Sequence, residues 1–126
     1  PLPKRENIVL TTKCEQTVIN RLVNVPHFMP SLKEAIKYCK KQKIEQAWVI
    51  GGEMLYKTAL DTIDINEIYL TRIDNDFECN TFFPIIPPEF QLISKQTVVR
   101  DNDINYQYEK YIFKDTLEDP ALYFAK

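Results

Sequence analysis

The chain has 126 residues, with 16 basic and 18 acidic side chains and a formal charge of −2. That slight acidic excess excludes a general nucleic-acid binder, whose footprint is a basic surface, and no run of about 18 apolar residues exists to span a bilayer. Seven tyrosines, seven phenylalanines and one tryptophan against two glycines speak for a packed domain rather than a disordered segment.

The opening "PLPKRENIVL" has no apolar core of a signal peptide and no initiator methionine, so the chain is read as processed, trimmed or a piece of something longer. "NIVLTT" (7–12) predicts a short buried strand of β-branched and aliphatic residues. Residues 14–30 read as a polar loop with room for one extended segment. "SLKEAIKYCKK" opens with a capping box, Ser31 at the N-cap and Glu34 three residues on. Leu32, Ala35, Ile36 and Cys39 fall on one helical face, and the lysines opposite make a solvated surface. Cys14, Cys39 and Cys79 are odd in number, widely spaced and without a CxxC pair, which suits reduced thiols in an intracellular protein. With His27 the only histidine, the same spacing argues against a zinc site.

"QAWVI" (46–50) is an apolar run too short for a helix and predicts a buried strand. Gly51 and Gly52 follow, then "EMLYKTAL" as about two helical turns, with Glu53 near the positive end of the helix dipole. "EIYLTRI" (67–73) predicts a strand apolar on both faces, in the middle of a sheet. "TFFPIIPPEF" (81–90) is a proline-broken connection. "FQLISKQTVV" and "INYQYEKYIF" flank the polar turn "RDND" and predict an antiparallel hairpin. Ile104, Tyr106, Tyr108 and Ile112 share one face of its second strand, interrupted by Lys110, while Asn105, Gln107 and Glu109 share the other. This alternation predicts an α/β fold with parallel strands in the middle and antiparallel ones at the end.

Both glycines stand at one strand-to-helix corner. Ligands of open α/β sheets bind beyond the carboxyl ends of strands, and a helix N-terminus there offers N–H groups suited to phosphate. A nucleotide diphosphate over Gly51 and Gly52 is one reading; a tight turn that needs small residues is the other, because a bare pair is not a GxGxxG fingerprint. Thr11, Thr12 and Lys13 end the first strand with two hydroxyls and an ammonium. They read either as a second phosphate site or as a solvated strand exit.

Taken together, "VIGGEMLYKTAL", "IYLTRI", "DFECNTFFP" and "INYQYEKYIF" resemble the C-terminal half of dihydrofolate reductase. "PLPKRENIVLTT" is similar to that family's segment leading into the adenosine-phosphate site. The resemblance covers residues 1–114 as part of a dihydrofolate reductase-like domain and leaves 115–126 as a tail or the start of a linker. It implies NADPH-dependent reduction of 7,8-dihydrofolate to tetrahydrofolate, in the cytoplasm, with antifolates as further ligands and no metal, membrane or nucleic acid. The implied fold is a mixed sheet with helices on both faces and a C-terminal antiparallel hairpin.

By the same resemblance Gly51 and Gly52 are joined by a cis peptide against the cofactor. Glu53, Met54, Leu55, Tyr56, Lys57 and Thr58 continue its cradle, and Thr11, Thr12 and Lys13 match the 2′-phosphate site. The carbonyl of Ile50 accepts from the pterin, and Thr71 stands behind it in support of an acid outside this segment. Arg5 matches an arginine that grips the α-carboxylate of the substrate's glutamate; read alone, it is equally a surface arginine beside Glu6. No residue here aligns with the catalytic carboxylate. The family's first half is not found in these residues, including strands central to its sheet on both sides of "QAWVI". The chain is therefore expected to need that half, as a same-molecule segment or a complementing chain, and to be inactive alone. Fusion to a thymidylate-making enzyme is one context for the tail. The competing expectations are a degenerate non-catalytic relative serving as subunit or scaffold, and a related pterin or pyrimidine reductase such as that of riboflavin synthesis.

Overall fold

The computed structural model describes residues 2–12, 27–62, 64–96, 98–101 and 104–115 and divides the chain into two units, Pro1–Val49 and Ile50–Lys126. In the first unit, strand β1 (Ile8–Leu10) lies parallel to β2 (His27–Met29), with Val9 opposite Phe28. The Thr11 N–H donates to the Met29 carbonyl at 2.9 Å and extends the ladder one step. β2 is the extended segment for which the sequence left room.

Helix α1 (Leu32–Lys41) begins where its cap predicts: Ser31 is extended, and its hydroxyl accepts from the Glu34 N–H at 3.3 Å. Leu32 and Ala35 are buried, Ile36 and Cys39 half-buried, and Lys33, Lys37, Lys40 and Lys41 exposed. The face predicted from spacing is thus the packed one. Lys43, at φ 55°, takes the left-handed position that stops the helix. Ser31→Ala removes the only side-chain acceptor for that first turn among the described residues. It should cost about 0.5–1 kcal/mol and speed hydrogen exchange of the α1 amides without affecting the hairpin strands.

In the second unit, helix α2 (Glu53–Thr62) precedes β3 (Glu67–Asp74), β4 (Phe90–Lys95), β5 (Val99–Asp101) and β6 (Ile104–Phe113). β6 is the spine of this sheet: β3 runs antiparallel along one side of it, and β4 and β5 along the other. The hairpin around "RDND" forms as predicted, with a bulge between Leu92 and Ser94 that shifts the register. Residues 81–89 form no strand or helix, as three prolines in that stretch dictate.

Lys110, the charged interruption on the apolar face of β6, is accommodated by neutralisation. Its ammonium lies 3.1 Å from the Glu67 carboxylate and 5.1 Å from the centroid of the Tyr69 ring. The Tyr69 hydroxyl donates to the other oxygen of Glu67 at 2.7 Å.

Three predictions need correction. "QAWVI" is not a strand: residues 46–50 form neither strand nor helix. Trp48 is 57% and Ile50 69% exposed, so this apolar run is not buried. An apolar run becomes a strand only where neighbours satisfy its amides and carbonyls. β3 is not central either, since β6 is its one partner among the described residues. Ile68 is buried, whereas Tyr69 and Ile73 stand about half exposed. Finally, the parallel pair is β1 with β2, and the strands form two sheets rather than one mixed sheet.

Candidate functional site

The corner at residues 50–58 lies wholly in the second unit. The peptide between Gly51 and Gly52 is cis, and Gly51 sits at φ 100°, a region that an L side chain resists. A Cβ on Gly51 would meet the Tyr56 ring at 3.0 Å, whereas one on Gly52 would meet no heavy atom within 4 Å. The first glycine is therefore required by the fold. The second faces open space, where a Cβ would fit without meeting any described residue.

Helix α2 starts at this point. The Leu55 and Tyr56 N–H groups both donate to the Gly52 carbonyl, at 3.0 and 2.9 Å. Helix geometry leaves the amides before them without intrahelical acceptors. Tyr56 fastens the first turn to the proline-rich connection through Phe83, ring centroids 5.0 Å apart. Glu53 and Leu55 are half-buried, Met54, Lys57 and Thr58 exposed, and the Thr58 hydroxyl donates back to the Met54 carbonyl at 2.8 Å. Ile50 enters the corner exposed. The arrangement offers bare backbone, helix-start amides and a tyrosine on one short segment, which can hold an anionic bridge.

Thr71 is exposed on β3, opposite Tyr108. Arg5, Thr11 and Thr12 belong to the first unit, Thr11 half-buried and the other two exposed. Arg5 makes no ion pair among the described residues, Glu6 included. Lys13 lies outside the described residues, as do Cys14 and positions 116–126.

A buried carboxylate escaped the sequence reading. Glu109 is 4% exposed and accepts from Arg72 Nε and Gln107 Nε2 on one oxygen, at 3.0 and 2.9 Å. Its other oxygen accepts from Arg72 Nη2 and Tyr111 Oη, at 3.0 and 2.8 Å. The hydrogen bonds from Arg72 hold this carboxyl below its usual range against the opposing effect of burial. The same contact raises Arg72; burial, followed by the Glu109 carboxylate, raises the Tyr111 hydroxyl. Antiparallel register puts residues 107, 109 and 111 on the face that also carries Arg72. The one signal available was Glu109 at alternate spacing to Gln107 and Tyr111, which does not reveal that the face is covered. Arg72 and Tyr111 line a cleft of about 430 Å³ with Leu70, Phe83, Pro84 and Phe90. Phe83 is shared with the glycine corner, but the glycines do not line this cleft.

In the first unit, the Tyr38 hydroxyl lies 2.9 Å from His27 Nε2. Partial desolvation, then the Glu6 carboxylate, pushes that hydroxyl up.

A family model for dihydrofolate reductase matches residues 1–114. The dihydrofolate reductase of Aedes albopictus is 36% identical over 120 residues, covering 88% of this chain and 63% of the relative. That of Heliothis virescens is 37% identical over 118 residues, covering 90% and 63%. The pig enzyme (Sus scrofa) is 32% identical over 122 residues, covering 88% and 63%. The chain therefore spans a little under two thirds of the length of these curated relatives. Among the described residues, no helix is long and apolar enough to cross a membrane.

Proposed function

This chain belongs to the dihydrofolate reductase family, and from that premise we propose that it supplies the C-terminal portion of an NADPH-dependent dihydrofolate reductase. The observation that carries the reading is the open space over Gly52 at the start of α2. A Cβ there would meet no heavy atom of the described residues within 4 Å, which leaves bare backbone open to another molecule.

NADPH, when bound, supplies a hydride. The chain's part is to hold and orient. The backbone of Gly51 and Gly52 and the first turn of α2, Glu53 to Thr58, receive the pyrophosphate, where helix-start amides suit anionic oxygens. Thr11, Thr12 and Lys13 take the adenosine-side phosphate through hydroxyl and ammonium donors. The Ile50 carbonyl accepts from the pterin, or from an antifolate in its place. Thr71 orients an acid supplied by residues outside this chain. Arg5 is exposed and free of Glu6, as a bidentate grip on the substrate's glutamate carboxylate needs.

The absent portion is expected to pair with residues 46–50 and with the outer side of β3. Exposed Trp48, Ile50 and Ile73 support this reading, as does the chain's share of its relatives' length. A cytoplasmic enzyme whose tail leads into a thymidylate-making domain belongs to the same proposal.

Titration of NADPH and a pterin antifolate into the chain alone and into the full-length protein tests it. Tight binding is expected only in the full-length protein, or when the missing portion is added in trans. Absence of binding in every form favours the scaffold reading, and cooperative unfolding of a monomeric 126-residue chain overturns the partial-domain reading.

A further inference from the structure

We infer that Asn7 positions Arg5 for the carboxylate of the substrate's glutamyl tail, an assignment that rests on the reading of Arg5 given above. Arg5 sits in an exposed turn, and the residue before it, Lys4, is at φ 57°, a conformation that L side chains resist. Such a turn persists only where something holds it. The Asn7 side chain does so with three bonds to the backbone it encloses. Its Oδ1 accepts from the Leu2 N–H at 2.9 Å, and its Nδ2 donates to the Leu2 carbonyl at 3.0 Å and the Arg5 carbonyl at 2.9 Å.

One planar amide thus spans the turn from both ends and ties down the peptide of Arg5 itself. The task needs an acceptor and two donors on a short side chain, which asparagine provides and aspartate or serine does not. Asn7 is half-buried and directly precedes β1, so the turn is anchored to the strand. The Arg5 guanidinium has no ion pair among the described residues. Asn7 therefore fixes the point from which this side chain reaches, and a fixed backbone reduces the ordering cost of a bidentate grip.

The test compares Asn7→Ala, Asn7→Asp, Arg5→Ala and the double variant in the full-length protein. Steady-state rates are measured with dihydrofolate and with a 6-methyl-7,8-dihydropterin that lacks the glutamyl tail. Both Asn7 variants should raise KM for dihydrofolate by roughly three- to tenfold. The kcat and the KM for the tail-free pterin should stay unchanged. In the Arg5→Ala background, Asn7→Ala should add less than about twofold, because the two residues act through one contact. Asn7→Asp keeps the acceptor for the Leu2 N–H and turns an anionic oxygen toward the Leu2 and Arg5 carbonyls in place of the donors, so it decides the matter if the alanine variant does not fold. Equal KM increases for both substrates would make Asn7 merely structural and overturn the assignment. A tail-selective loss in Arg5→Ala with none in the Asn7 variants overturns it while leaving the reading of Arg5 intact. Absence of tail selectivity in Arg5→Ala removes both.

Discussion

Alanine at Gly51 is expected to weaken NADPH binding and to destabilise the protein, while alanine at Gly52 should weaken binding alone. The contrast comes from what each added methyl would meet. At Gly51 it would sit at φ 100° with the Tyr56 ring carbons and hydroxyl at 3.0–3.1 Å. The backbone strain alone costs of order 1–3 kcal/mol. Tyr56 can relieve the collision only by rotating away from Phe83, which loses their ring contact. A total of about 2–4 kcal/mol follows once mild overpacking is added, enough to be obvious in a urea titration.

At Gly52 no heavy atom lies within 4 Å of the added carbon, so the unfolding midpoint should stay close to that of the unaltered protein. If the anionic bridge of the cofactor rests against this backbone, however, the methyl fills the space it needs. A loss of at least about tenfold in NADPH affinity, roughly 1.4 kcal/mol, is expected by fluorescence titration of the full-length protein. Unchanged affinity in a folded Gly52→Ala protein would show that the phosphates bind elsewhere.

Glu109→Gln should cost about 2–3 kcal/mol at pH 7, and the deficit should disappear in acid. The carboxylate satisfies four donors from three side chains, and the amide that replaces it turns two hydrogens toward donors. Removing a partner from a fully buried ion pair costs more, but Arg72 is 54% exposed and water compensates part of its loss.

The sign of the pH dependence follows from the depressed carboxyl of Glu109. Its stabilisation is fully present above the unfolded value, near 4.3, and is lost as pH falls through the lower folded value. The stabilities of Glu109→Gln and the unaltered protein should therefore converge below about pH 4. A gap that persists unchanged to acid pH would mean that packing around the side chain, not its charge, supplies the stability.

The contrast between helix and strand shows how far the residues alone can carry such a reading. Ser31 and Glu34 located the start of α1, and the spacing of Leu32 and Ala35 gave its buried face. Both are short-range facts, settled within one or two turns of chain. The hairpin was legible for the same reason, because its turn and both its strands are contiguous. "QAWVI" was read as a strand from its length and apolar content, which periodicity alone does not settle, and it forms none; a strand is defined by its neighbours, which a local run does not record. β3 carried the apolar pattern of a central strand yet has a single strand partner among the described residues, because composition records tolerance for burial and not the presence of a cover.

The candidate site divides in the same way. The glycine pair, its place before a helix and its tyrosine four residues on could all be read in order along the chain. That Tyr56 occupies the space beside Gly51 while Gly52 is left open required coordinates. So did the burial of Glu109, which meets Arg72 across 37 residues through the register of β3 on β6. Local hydrogen bonding and helical period follow from adjacent residues and were fixed by the order of amino acids. The strand partners, the covered faces and the single open glycine arise from contacts between distant segments, whose free energy no local pattern contains, and those were decided only by the tertiary fold.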